Sequence, residues 1–384
     1  MIYLDNAATT KVDDVILQSY CDLTNKLFMN TSSVHQGGVE SAKLLTKARE
    51  QIASLFGVNA NEIIFTSGAT ESNNLAIKGI AFQYQNRGKH LITSAVEHPS
   101  VLNTFFQLRD YFGFDLTVLP VNSEGKVEPK TLEENMRNDT ILVSIMAVNN
   151  EVGCINDLDS LADIVHKYPK CFFHSDTTQA IGKIPYIPYD KLDLFVLSAH
   201  KIHGLKGSGV LVKKKNIELL PLLSGGGQEF GIRSGTNDFQ KEVILAKTLR
   251  LALEAQSKDY EIAKTLFDYA YDEFTKLNDE VVINSKKGES PFILNISFIN
   301  KKSSVIVEGL SSKSIMVSTT SACSSKKEAY STVLKAMGKS KQEYSNSLRL
   351  SFDRYNTITE LSIFFNELKI LLNNLSPFLY LGTK

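Results

Sequence analysis

Between residues 60 and 213, seven short runs of β-branched and apolar residues alternate with longer segments of helical spacing. The runs fall at 62–66, 90–94, 114–119, 141–148, 171–175, 192–198 and 209–212. Strands that run parallel need a long crossover to return the chain to the same end of the sheet, and a helix is its usual form. The alternation therefore predicts βαβ units and a large α/β domain built on a mainly parallel seven-stranded sheet. The punctuation agrees. A helix over 41–56 stops at Gly57, and one starting near Thr70 stops near Gly88, where glycine accepts the left-handed backbone that ends helices.

A chain of 384 residues exceeds what one hydrophobic core organises, so two domains sharing a cleft are expected. From 240 to 277 apolar residues recur at helical spacing (Val243, Leu245, Leu249, then Ile262, Leu266, Ala270), as in a helix running from one domain into the next. Strand-like runs at 293–299, 315–317 and 348–352 lie beyond it among helices, which predicts a small α+β domain. The division is placed near residue 256: 13–256 forms the large domain, and 1–12 with 257–384 the small one.

Formal net charge is zero, from 42 basic and 42 acidic side chains, so no whole-molecule field draws the protein to nucleic acid or anionic lipid. No stretch of about 18 apolar residues occurs, and Met1-Ile2-Tyr3-Leu4-Asp5-Asn6 has no signal-peptide character, so a cytoplasmic protein away from membranes is expected. Cys21, Cys154, Cys171 and Cys323 show neither CxxC nor Cys/His ligand spacing, and no metal site is predicted.

Four segments carry chemistry. Thr66-Ser67-Gly68-Ala69-Thr70-Glu71-Ser72 passes from a strand end through small residues into a helix, where free amides and the helix dipole favour an anion; a capped helix start would look similar. It is neither a Walker loop nor GxGxxG. In His174-Ser175-Asp176-Thr177-Thr178-Gln179 an acid sits at the carboxyl end of a strand, where ligands bind in open α/β sheets, or where an aspartate caps a helix. Ser198-Ala199-His200-Lys201 puts a lysine after a buried strand, where burial frees an amine to condense with an aldehyde, although a surface lysine beside a turn reads the same way. In Ser318-Thr319-Thr320-Ser321-Ala322-Cys323-Ser324-Ser325-Lys326-Lys327 a polar loop holds one cysteine near two lysines, which eases its ionisation; a chance loop cysteine is the alternative.

Together with Tyr3-Leu4-Asp5-Asn6-Ala7-Ala8-Thr9-Thr10, Ser32-Ser33-Val34-His35, Glu97-His98, Val148-Asn149-Asn150-Glu151-Val152-Gly153, Arg233-Ser234-Gly235-Thr236 and Ser347-Leu348-Arg349-Leu350-Ser351, these segments occur in an order that resembles the NifS/IscS cysteine desulfurases. That family lies in the class V aminotransferase group of fold type I enzymes dependent on pyridoxal 5′-phosphate (PLP). The resemblance implies that Lys201 holds the cofactor covalently and removes the substrate Cα proton, and that Asp176 pairs with the pyridine nitrogen. It also implies that His98 stacks on the ring and that Asn150 and Gln179 face its phenolic oxygen. The phosphate would take Ala69, Thr70, Ser198 and His200, with Thr236 supplied by the other subunit of a homodimer. Arg349 would clamp the substrate carboxylate, assisted by Asn30.

The implied reaction removes sulfur from L-cysteine, leaves L-alanine, and places a persulfide on Cys323, whose loop is expected to move so as to reach an acceptor. That acceptor would be an iron–sulfur scaffold or a tRNA-thiolation protein. The sequence departs from the family pattern at Thr31, where proline is usual, and at Thr320 and Asp353, where glycine is usual. A selenocysteine lyase or another class V aminotransferase is the alternative within enzymes. A non-catalytic sulfur-relay scaffold is the alternative outside them.

Overall fold

The computed structural model describes residues 1–319 and 330–375. The chain opens with β1 (Ile2–Tyr3), α1 (Asp14–Lys26) and α2 (Gln36–Phe56). In the alternating region come β2 (Ile63–Thr66), α3 (Ala69–Tyr84), β3 (His90–Ser94), α4 (Pro99–Phe112), β4 (Asp115–Leu119) and α5 (Pro129–Asn135). They are followed by β5 (Thr140–Ser144), α6 (Leu158–Val165), β6 (Phe172–Asp176), β7 (Leu194–Ser198) and β8 (Gly209–Lys213). The rest comprises α7 (Phe239–Thr275), β9 (Val281–Ile283), β10 (Ile293–Phe298), α8 (Ser303–Ser312), β11 (Ile315–Met316), α9 (Thr332–Ala336), α10 (Lys341–Ser345), β12 (Ser347–Ser351) and α11 (Ile358–Asn374).

Strands β2 to β8 form one seven-stranded sheet in the order β2-β8-β7-β6-β5-β3-β4. It is parallel apart from β8, which runs against both β2 and β7. Helices cover both faces, so alternate residues of one strand enter different cores. On β7, Phe195 and Leu197 pack with Ile52 of α2, Leu161 of α6 and Leu245 of α7. Leu194 and Val196 pack instead with Leu75 and Ile80 of α3 and Phe105 of α4.

A three-stranded antiparallel sheet, β12-β10-β9, carries the C-terminal core, and β1 pairs in parallel with β11. Helix α7 serves both regions: Leu245, Leu249 and Ala252 belong to the large-sheet core, whereas Leu266, Phe267, Ala270 and Phe274 join Leu4 and the C-terminal core. Because β1 and the bridge from Asp5 to Ser351 tie the first residues to the C-terminal region, the segment after them is drawn across the end of the large sheet.

Several expected boundaries move. The strand predicted over 141–148 ends at Ser144; beyond it the Ile145 and Ala147 amides still donate to the His174 and Asp176 carbonyls of β6, while Met146 and Val148 line a cavity. Helix α2 stops before Gly57 as expected, but α3 ends at Tyr84. Gly88 serves close packing rather than helix termination, since a Cβ there would come within 2.1 Å of the Asp139 carbonyl oxygen.

Candidate active site

The carboxyl ends of β6 and β7 open on a cavity of about 600 Å³ closed on one side by Ala7, Ala8 and Thr9. This is where an open α/β sheet offers a ligand site. After β7 the chain makes a short 3₁₀ turn, Ala199–Lys201, which brings Lys201 to the cavity wall. Its amine donates to the carbonyl oxygens of Ala7 (2.7 Å) and Ala8 (2.9 Å).

The turn from β2 into α3 forms the cradle. No side chain caps α3: Gly68 occupies the N-cap with φ 148°, so the first-turn amides at Ala69 and Thr70 are not screened by a capping oxygen. In the register Gly209 lies opposite both Thr66 and Ser198, and its missing Cβ would sit 2.5 Å from the Gly68 Cα. The close approach of β8 to the cradle therefore requires glycine there. Glu71 takes the Ser67 amide (2.8 Å) and is itself held by Arg233 (2.7 Å). Despite burial, the hydrogen bonds from Arg233 and Ser67 keep its carboxyl below the usual range.

Asp176, buried at the end of β6, accepts from the Asn73 side chain (2.8 Å) and the Thr178 amide (3.0 Å). Asn73 is fully buried, and its amide nitrogen also donates to the Ser100 hydroxyl (2.9 Å). That hydroxyl lies 2.8 Å from His98 Nδ1, which accepts from the Ser100 amide (3.1 Å). Nδ1 is thus an acceptor, so a neutral His98 carries its proton on Nε2. Burial pulls its pKa below the ordinary 6.5, and the pull of Asp176 toward protonation does not overcome this. His200, whose Nδ1 lies 3.1 Å from the Thr9 hydroxyl, is lowered to about 4 by burial and then by the neighbouring Lys201.

Arg349, on β12, enters from the C-terminal region. One terminal nitrogen donates to the Asn150 carbonyl (2.7 Å) and the other to Asp5 (2.9 Å), while its buried Nε has no partner among the described residues. Gln179 donates to Ala7 O (2.9 Å) and accepts from Lys183 (2.9 Å).

Of the residues singled out in the sequence, Ala69, Thr70, His98, Asn150, Asp176, Gln179, Ser198, His200, Lys201 and Arg349 all line this one cavity. Asn30 does not: it is exposed, and its side-chain oxygen accepts from the Ser32 amide (2.9 Å) in a surface turn. Thr236 is also exposed and outside the cavity of its own chain. Cys323 and Thr320 lie outside the described residues. Sequence reasoning missed the part played by Asp5, Ala7, Ala8 and Asn73. The carbonyls of Ala7 and Ala8 leave no mark on side-chain type. Asn73, a polar residue on the helix face turned toward the sheet, was the available signal for the last.

The pattern described as aminotransferase class-V matches residues 2–364. A NifS/IcsS protein homolog of Lactobacillus delbrueckii subsp. bulgaricus is 40% identical over 388 residues, covering 100% of both chains. The cysteine desulfurase IscS of Dictyoglomus turgidum is 38% identical over 377 residues, 97% of this chain and 95% of its own. Among solved structures, a NifS-like protein superposes with a TM-score of 0.91 at 36% identity, covering 97% of this chain and 100% of its own. A second, described as SspA in complex with cysteine, gives 0.80 at 33% identity over 93% of this chain and 100% of its own. The chain belongs to the class-V aminotransferases, in their NifS/IscS cysteine desulfurase branch, with the fold type I architecture. The relatives named here do not favour the aminotransferase or selenocysteine lyase alternatives.

The cofactor of such enzymes is PLP, and the cavity fits it. The uncapped α3 terminus suits a phosphate, Asp176 suits a protonated ring nitrogen, and a buried Thr178 hydroxyl with no partner borders the same space. Among the described residues, no helix is long and apolar enough to cross a membrane.

Proposed function

We propose that this protein is a cysteine desulfurase that moves the sulfur of L-cysteine onto Cys323 and then to an acceptor. The observation that carries the reading is the opening of the Lys201 amine, the Asp176 carboxylate and the Arg349 guanidinium onto one cavity. When bound, PLP supplies an aldehyde that joins to an amine and a ring that draws electrons from the adjoining carbon. Ala69, Thr70, Ser198 and His200 would hold its phosphate, Asp176 would keep its ring nitrogen protonated, and Asn150 and Gln179 would serve the phenolic oxygen. Lys201 holds the cofactor, then takes the substrate Cα proton and returns it. Neutral His98, which lines the cavity and carries its proton on Nε2, would hold the ring.

Arg349 binds the substrate carboxylate, its unpartnered Nε–H being the donor still to be satisfied. The Cys323 thiolate attacks the substrate sulfur. The carbon–sulfur bond breaks, a sulfur–sulfur bond forms, the carbon takes up a proton, and alanine leaves. The persulfide is passed to an iron–sulfur scaffold or a tRNA-thiolation protein. We assign the exposed Thr236 to the phosphate site of a second copy, which makes the working unit a homodimer; large apolar groups left open at Phe28 and Phe230 (75% and 59% exposed) support such a contact.

The test is mass spectrometry of the protein after exposure to L-cysteine. One extra sulfur on the peptide containing Cys323, with alanine and sulfide released, is expected. Extra sulfur on Cys21, Cys154 or Cys171 instead, or transamination without sulfide, would overturn the reading.

A further inference from the structure

Lys183 is a buried amine that the proposed reaction does not use. It is 8% exposed, in the turn that follows Gln179, and donates to the Gln179 side-chain oxygen at 2.9 Å. An ammonium has only donors and a carbonyl only acceptors. With Lys183 on one side and the Ala7 carbonyl on the other, the Gln179 amide has one permitted orientation: oxygen toward Lys183, nitrogen toward Ala7 (2.9 Å). The second N–H of that nitrogen is then what Gln179 presents to the cavity it lines. The same Ala7 carbonyl accepts from Lys201 at 2.7 Å, so Lys183, Gln179, Ala7 and Lys201 form one chain of hydrogen bonds.

We propose that Lys183 is a positioning residue for Lys201 and the cofactor: it locks the donor face of Gln179, and its own charge opposes a second charge on the neighbouring amine. This rests on Lys201 as the lysine that holds PLP.

The surroundings favour such a role. Behind Lys201 lies a small cavity of about 20 Å³, bordered by Lys183, His203, Asp259, Asp353 and Arg354. It has room for about one water, so little solvent lies between the two amines on this side, while the other side of Lys201 faces the larger cavity. Arg354 is engaged by Asp13 (2.5 Å) and Asp259 (2.8 Å), and Arg349 by Asp5. Asp353 is buried, with its carboxylate 3.8 Å from His203 Nε2, and it is the acid that draws Lys183 toward its charged form. Burial lowers His203 to about 4, so it adds no positive charge at neutral pH. Burial, then Lys201, and with them Arg349 lower Lys183 to about 7 against the pull of Asp353. Asp353 is one of the positions where this chain departs from the family pattern, so the strength of the device is set by this sequence.

The test is the pH titration of the visible absorption of the PLP-loaded enzyme, in wild type and in K183M, K183Q and K183R, with the melting temperature of each recorded. K183R keeps charge and donor, K183Q keeps a donor alone, and K183M keeps neither. Losing the charge raises the affinity of the Lys201 nitrogen for its proton. The midpoint is therefore expected to rise by about one pH unit in K183Q and K183M and to stay at or below wild type in K183R, whose guanidinium keeps its charge at every pH. K183M should also lose PLP faster on dialysis, because Gln179 is no longer anchored. If K183M does not fold, the comparison of K183Q with K183R decides. Wild-type midpoints in both uncharged variants would overturn the proposal. A wild-type enzyme with no visible band abolished by K201A would instead overturn the assignment of Lys201, and the two failures are distinct.

Discussion

The amine of Lys201 lies 2.7 Å from the carbonyl oxygen of Ala7, so the turn after β7 and the first turn of the chain meet at this amine. The contact joins two cores. Ala7 follows the bridge from Asp5 to Ser351 in the C-terminal region, whereas Lys201 ends the 3₁₀ turn that follows a central strand of the large sheet. The amine is thereby fixed from both sides of the cleft.

Replacing Lys201 by alanine removes the amine and leaves the fold, since the residue lines a cavity rather than a core. The variant should bind PLP only reversibly, show no borohydride-stable adduct at this position, and release sulfide at least about 10²-fold more slowly. Absorption spectra before and after borohydride check this. A spectrum unchanged from wild type would remove Lys201 from the site.

Gly209→Ala tests the cradle without touching a group that reacts. Its Cβ would meet the Gly68 Cα at 2.5 Å and the Leu197 carbonyl oxygen at 2.8 Å, both backbone, so β8 or the cradle must shift. Overpacking of this kind costs about 1–3 kcal/mol. If the shift falls on the cradle, PLP affinity drops by about tenfold or more. Fluorescence titration of the apoprotein with PLP measures it; full affinity with a lowered melting temperature would show that β8 moves and the cradle does not.

Most strands of the large sheet were legible because they are runs of apolar residues buried on both faces, as Leu194–Ser198 illustrates, while the edge strand Asp115–Leu119 is only part-buried. β1 and β9 were not legible, since two or three residues are too few to establish a period. The run from Ile145 to Val148 serves two ends: the Ile145 and Ala147 amides still donate to β6 and their side chains pack in the large-sheet core, while Met146 and Val148 line the cleft. Lys201 and Asp176 stood out because each follows a strand at its carboxyl end. The hold on Arg349 by Asp5 and the Asn150 carbonyl joins residues far apart in the chain, and neither pairing can be read from local pattern. Asn30 was expected at the site by resemblance and lies in a surface turn held by its own side chain.

Arg349→Lys separates substrate binding from cofactor binding. The guanidinium spans Asn150 O and Asp5 with its two terminal nitrogens and keeps Nε for a third partner, which a single ammonium cannot reproduce. Loss of a charge-assisted hydrogen bond of about 1.5–3 kcal/mol should raise KM for L-cysteine by roughly 10- to 100-fold. The visible spectrum of bound PLP should be unaltered. An unchanged KM would place the carboxylate site elsewhere in the cavity.

Glu242 gives a pH test that is independent of the chemistry. It is part-buried at the start of α7, with one buried oxygen that has no partner among the described residues, and Asn237 is a long 3.3 Å from the other. Burial and then the neighbouring Glu229 carboxylate raise its pKa from 4.5 to about 7. Glu229 is itself committed to Arg49, at 2.6 and 2.8 Å. A carboxyl with a folded-state pKa above its unfolded value binds more protons when folded, so its favourable contribution is complete below pH 4.5 and lost as pH rises through about 7. Glu242→Gln imitates the protonated form at every pH. The variant should therefore melt within about a degree of wild type near pH 4.5 and several degrees higher at pH 8, where the wild type carries two adjacent carboxylates. Thermal unfolding at the two pH values measures the difference, and an equal shift at both would mean that Glu242 keeps its charge throughout.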